Sequence, residues 1–78
     1  MIELRIPQAG SEMGEGELVE WLVPSGTRVE EGQPVYVLAT DKVEMNVEVP
    51  ASGILHHVGE AGQVYAVGTV IGHIEPDE

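Results

Sequence analysis

The sequence predicts an all-β fold, a flattened sandwich or barrel of two similar halves related by a pseudo-two-fold axis, from three observations. Apolar and polar residues alternate in Ile2-Glu3-Leu4-Arg5-Ile6-Pro7 and again in Met45-Asn46-Val47-Glu48-Val49-Pro50, the mark of strands with one buried face. No stretch has helical spacing, and Gly or Pro interrupts the chain every few residues. The chain also repeats itself, which two stacked halves sharing one core would require.

The repeat has two offsets. At 36 residues Gly26 meets Gly62 and Gly32 meets Gly68, while Leu18, Val19, Leu22, Val35 and Leu38 meet Ile54, Leu55, Val58, Ile71 and Ile74. At 43 residues Ile2, Leu4, Ile6, Pro7 and Gly10 meet Met45, Val47, Val49, Pro50 and Gly53. The difference is an insertion in the first half.

The elements follow in order. A strand over Ile2–Pro7 leads into the inserted segment Gly10–Gly16, whose Gly-Ser-Glu-Met-Gly-Glu-Gly composition is that of a surface loop. Pro24-Ser25-Gly26 and Glu60-Ala61-Gly62 are matched turns. The apolar runs Val35–Ala39 and Val43–Val49 flank Thr40-Asp41-Lys42, a tight hairpin in which Asp41 is expected to bond nearby backbone N–H groups. Val, Ile and Leu supply the core, with Trp21, Tyr36 and Tyr65 expected at its margins. The domain is expected over residues 1–75, with 76–78 as a disordered end or the start of a linker.

Composition narrows the function. A chain of 78 residues buries only about 60% of the surface its unfolded form exposes, leaving little room for an enclosed cleft. It has no cysteine for a disulfide or thiolate site. Fourteen carboxylates against Arg5, Arg28 and Lys42 give a net charge of −11, a field that repels nucleic acid and anionic lipid. MIELRIP lacks the apolar run of a signal peptide, so a soluble intracellular protein is expected. Lys42 is the only lysine. An enzyme that modifies one amine meets no competitor here except the N-terminus.

The string Ala39-Thr40-Asp41-Lys42-Val43-Glu44-Met45-Asn46-Val47-Glu48-Val49-Pro50-Ala51-Ser52-Gly53 resembles the lipoyl-attachment motif of 2-oxo acid dehydrogenase complexes. Ile6-Pro7, the Gly10–Gly16 loop, Gly16-Glu17-Leu18-Val19-Glu20-Trp21 and Gly26 extend the resemblance to nearly the whole chain. The resemblance implies a pseudo-symmetric β-sandwich, monomeric and non-catalytic, that carries lipoic acid on Lys42 in an attachment turn of Thr40, Asp41 and Val43. It implies a swinging arm that moves acyl groups and electrons between a thiamine-dependent 2-oxo acid dehydrogenase, a dihydrolipoyl acyltransferase and a flavoprotein dihydrolipoyl dehydrogenase, after loading by a lipoylating enzyme. The hard chemistry would belong to cofactor and partners. The resemblance also implies a place within a dihydrolipoyl acyltransferase chain, in the bacterial cytoplasm or the mitochondrial matrix. Glu12 and Glu15, on a loop that adjoins the turn in this family, would help a dehydrogenase recognise the domain. Thr27 and Ala39 depart from common family residues and leave the parent complex open.

Three other readings fit the residues less well. A biotin carboxyl carrier domain shares the fold, but biotin lysines are usually flanked by methionines, where this chain has Asp41 and Val43. Glycine-cleavage carriers are longer, with extra helices. An unmodified structural or adaptor module needs no turn lysine. No catalytic or metal-ligating residue is expected: His56 and His57 are adjacent on a strand and point to opposite faces, His73 lies in another strand, and Gly10-x-x-x-Gly14-x-Gly16 lacks a phosphate-loop lysine.

Overall fold

The structure, a computed structural model, describes residues 1–8 and 14–76. Eight strands follow one another: β1 (Ile2–Arg5), β2 (Glu15–Trp21), β3 (Arg28–Val29), β4 (Pro34–Ala39), β5 (Glu44–Glu48), β6 (Gly53–His57), β7 (Gln63–Ala66) and β8 (Val70–Pro76). All pairings are antiparallel. One four-stranded sheet runs β1-β8-β6-β3 and the other β5-β4-β2-β7. Replacing β1, β2, β3 and β4 by β5, β6, β7 and β8, and the reverse, converts the first order into the second. The sequence repeat is therefore a repeat of topology, and each sheet draws two strands from each half.

The hydrogen bonds between elements repeat too. Leu22 N–H donates to the Val35 carbonyl at 2.8 Å, and Val58 N–H to Ile71 at 2.9 Å. Gly32 N–H donates to Val49, and Gly68 N–H to Ile6, both at 2.9 Å. The matched glycines Gly26, Gly62, Gly32 and Gly68 share φ values of 90°, 88°, 88° and 89°, a region that residues with a Cβ enter at a cost.

One segment of the offset needs correction. Leu18 pairs with Leu38 and Glu20 with Val37, so Val19 is a bulge residue without a partner. On the other sheet Leu55 pairs with Ile74 and His56 with His73 without interruption. Leu18 therefore corresponds to Leu55, both wholly buried, rather than to Ile54. An ungapped offset cannot register a single inserted residue.

Leu18, Val29, Val35, Leu38, Leu55, Ile71 and Ile74 are fully buried between the sheets, each worth about 1.5–3 kcal/mol of transfer free energy. Tyr36 joins them at 1% exposure, so it is a core residue rather than a marginal one. In a chain without phenylalanine its ring supplies bulk that aliphatic residues do not. Trp21 and Tyr65 are half-buried and pack against this core. Leu22 and Val58, matched and apolar, are nevertheless exposed.

Two boundaries and the burial of one strand also differ from expectation. β2 begins at Glu15, inside the segment read as a loop. β8 continues through Glu75 and Pro76, which pair with Ile54 and Gly53. β5 buries little of its apolar face: Val43 and Met45 are exposed, Val47 is half-buried, and only Val49, just beyond the strand, is buried. As an edge strand, β5 overhangs the core near the hairpin.

Candidate functional site at the β4–β5 turn

β4 and β5 form a hairpin in which Leu38 pairs with Met45 and Ala39 with Glu44. Thr40 N–H donates to the Val43 carbonyl at 2.8 Å and closes the turn. Asp41 and Lys42 occupy its tip, both exposed. Among the described residues none other than glycine has positive φ, so the turn does not use the left-handed geometry that Asn-Gly hairpins rely on.

The side chain that organises the turn is Thr40. Its Oγ1 accepts Val43 N–H at 3.2 Å and Lys42 N–H at 3.3 Å, and donates to the Val43 carbonyl at 3.3 Å. The Asp41 carboxylate, expected to bond the backbone, has no partner among the described residues. The signal was available in sequence, since a turn Ser or Thr can bond the backbone two or three residues on.

Lys42 makes no ion pair among the described residues, whereas Arg5 pairs with Glu3 and Arg28 with Glu30. Its amine is open to solvent amid the exposed Asp41 and Glu44. A groove runs beside the turn, lined by Glu15, Gly16 and Glu17 of β2, Thr40 and Asp41 of the turn, and Val64 of β7. Glu15 thus stands on the same side as the β4–β5 turn; Glu12 lies outside the described residues. Val64 was not singled out in the sequence, because nothing local shows that β7 pairs with β2.

The histidines are half-buried and fall in two separate settings. His57 stacks on Trp21 with ring centroids 3.9 Å apart and planes at 10°, and its Nε2 donates to the Val23 carbonyl at 2.9 Å. His56 lies opposite His73, centroids 4.9 Å apart, with its Nε2 3.1 Å from Glu75 Oε1. The pairing of His56 with His73 depends on strand register and was not legible beforehand. No group of three or more metal-ligating side chains is assembled among the described residues.

Comparison with known proteins agrees with this geometry. The family model Biotin_lipoyl, described as "Biotin-requiring enzyme", matches residues 2–74. The chain is 40% identical over 78 residues to the lipoamide acyltransferase component of the branched-chain alpha-keto acid dehydrogenase complex of Bacillus subtilis, covering 96% of this chain and 18% of that protein. It is 35% identical over 75 residues to the dihydrolipoyllysine-residue succinyltransferase component of the 2-oxoglutarate dehydrogenase complex of the same organism, covering 95% and 18%. The chain therefore spans about a fifth of the length of these curated relatives. Its fold superimposes on the solution structure of the lipoyl domain of the 2-oxoglutarate dehydrogenase complex from Azotobacter vinelandii with a TM-score of 0.80, at 24% identity, covering 99% of this chain and all of the other. A lone lysine at a hairpin tip, a sandwich whose halves exchange by a two-fold, and a match across nearly every residue lead to one conclusion: the chain belongs to the biotin/lipoyl attachment family and is built as a lipoyl domain.

Proposed function

We propose that Lys42 carries amide-linked lipoate, and that the domain shuttles acyl groups and electrons between the enzymes of a 2-oxo acid dehydrogenase complex. The observation that carries this reading is the exposed, unpaired Lys42 at the tip of a hairpin whose backbone is tied by Thr40. The fit is direct. An amide link needs a primary amine that an enzyme can enclose, and this chain offers one lysine, on a protruding turn, with no carboxylate bonded to it.

In the loading step Lys42 gives up a proton, its nitrogen attacks the carbonyl of an activated lipoate, and the activating group leaves as the C–N bond forms. The dithiolane supplies the acyl-accepting and redox chemistry when bound. This chain's residues supply the rest. β4 and β5 hold the turn clear of the sheets, Thr40 orders it, and the tether raises the group's local concentration at each partner's active site. Asp41, Glu44 and Glu15 present a negative field to a basic partner surface. The partners we propose are a lipoylating enzyme, a thiamine-dependent 2-oxo acid dehydrogenase, a dihydrolipoyl acyltransferase and a dihydrolipoyl dehydrogenase. The domain itself contributes no catalytic group.

Incubation with lipoate–protein ligase, lipoate and ATP should add one lipoyl group per chain by intact mass. Lys42→Gln should add none while keeping the wild-type circular dichroism spectrum. Labelling of Lys42→Gln to the wild-type extent would overturn the assignment.

A further inference from the structure

We infer that the Thr40 hydroxyl is the positioning group for Lys42, fixing the direction in which the amine leaves the turn for the modifying enzyme; the inference rests on the carrier reading above. Beyond the Thr40 N–H to Val43 carbonyl bond that closes the turn, little else holds the tip. Asp41, Lys42 and Val43 are exposed, so no packing holds them. The tip lacks the Gly or Asn that makes a two-residue hairpin rigid through its own backbone preferences, and among the described residues positive φ is confined to glycines elsewhere.

In an ordinary tight turn the N–H of the fourth residue bonds the carbonyl of the first. Here the Val43 N–H goes to Thr40 Oγ1 at 3.2 Å, and the same oxygen takes the Lys42 N–H at 3.3 Å. The hydroxyl proton returns to the Val43 carbonyl at 3.3 Å, which also receives the Thr40 N–H at 2.8 Å. One oxygen thus touches the backbone on both sides of the Lys42 side chain. It fixes the peptide planes from which Cβ departs.

The arrangement is not inherited from the repeat. The offset that relates β4 to β8 carries Thr40 onto Pro76, which has neither hydroxyl nor N–H. The device belongs to the one turn that bears a lysine.

A second consequence separates positioning from stability. Both amides lie at an exposed tip, so water can replace the hydroxyl as their acceptor. Removing it should change folding free energy little and the order of the tip considerably. Transfer to an amine requires near-attack geometry, where displacements of about 1 Å can cost on the order of a hundredfold in rate.

The test uses two variants. Thr40→Val keeps the β-branch and volume without the hydroxyl; Thr40→Ser keeps the hydroxyl. Lipoylation rates over a range of domain concentrations should show kcat/KM for Thr40→Val reduced by at least about tenfold, with Thr40→Ser within about threefold of wild type. Amide hydrogen exchange by NMR should quicken at Lys42 and Val43 in Thr40→Val, with the strands and Tm unmoved. In the wild type, those two amides should exchange more slowly than that of Asp41, a measurement that needs no variant to fold. Thr40→Val modified at the wild-type rate, Thr40→Ser as slow as Thr40→Val, or equal exchange at the three wild-type amides would each overturn the inference. A wild-type chain that accepts no lipoate would instead overturn the carrier reading, and the inference with it.

Discussion

In the first half of the chain Tyr36 on β4 and Trp21 on β2 meet edge to face, ring centroids 5.4 Å apart. The matching positions in the second half, paired across β8 and β6, are Gly72 and His57. The backbones correspond strand for strand, but the volumes do not. A Cβ at Gly72 would come within 3.2 Å of Trp21 Cη2 and 2.8 Å of the His56 carbonyl. Trp21 also stacks on His57, its own counterpart. The two-fold repeat sets where side chains start, and a large ring in one half is accommodated by a missing one in the other.

The asymmetry between the halves is greatest at the stacked pair. Trp21→Ala should destabilise by about 3 kcal/mol, as large-to-small core changes do, whereas His57→Ala should cost about 1 kcal/mol for the lost stacking contact. Urea unfolding followed by circular dichroism would measure both; equal losses would mean that the halves share the load evenly. Gly72→Ala comes next, at about 2 kcal/mol for overpacking. Trp21→Phe, which lacks the Cη2 that approaches Gly72, should recover part of it. An undiminished penalty in that background would assign the clash to the His56 carbonyl alone.

Tyr36 has no ring opposite it in the second half, where Gly72 stands. Its hydroxyl is buried with no hydrogen-bond partner among the described residues, and burial pushes its pKa from 10.0 up to about 12. The folded state therefore keeps the proton where the unfolded state loses it. Stability is whole below pH 10 and declines as pH rises towards 12, by roughly 1 kcal/mol at pH 11. Tyr36→Phe should abolish that alkaline loss while being neutral or slightly stabilising at pH 7. Urea midpoints at pH 7 and pH 11 decide it; an equal alkaline decline in both proteins would assign the loss to another group.

Much of this fold was legible because glycine and apolar periodicity are local signals. Gly26, Gly32, Gly62 and Gly68 marked turns that require positive φ, and their spacing exposed the repeat. The alternation in Ile2–Pro7 found β1. What the sequence could not carry was information set by partners. Val19 is as apolar as its neighbours, and only pairing with β4 makes it a bulge. Val43 and Met45 alternate as a buried face should, but an edge strand that overhangs its core leaves them wet. At the turn, Lys42 stood out by being the sole lysine. The contribution of Thr40 was hidden behind the stronger statistical preference of Asp41 for turns. A side-chain hydrogen bond depends on rotamer and φ, which composition does not specify.

The Thr40–Val43 turn has one more consequence, a topological one. It is the single covalent bridge between two halves that interlock, since β1 and β3 pair with strands of the second half and β5 and β7 with strands of the first. A chain that straightened at this point would offer each half to a second chain, which could complete the same two sheets by exchange. Hinges of this kind are the sites at which domain swapping occurs. In the swapped dimer Lys42 would lie in an extended crossing strand with no hairpin to hold it out. The closed turn therefore keeps both halves within one chain and Lys42 at its tip together.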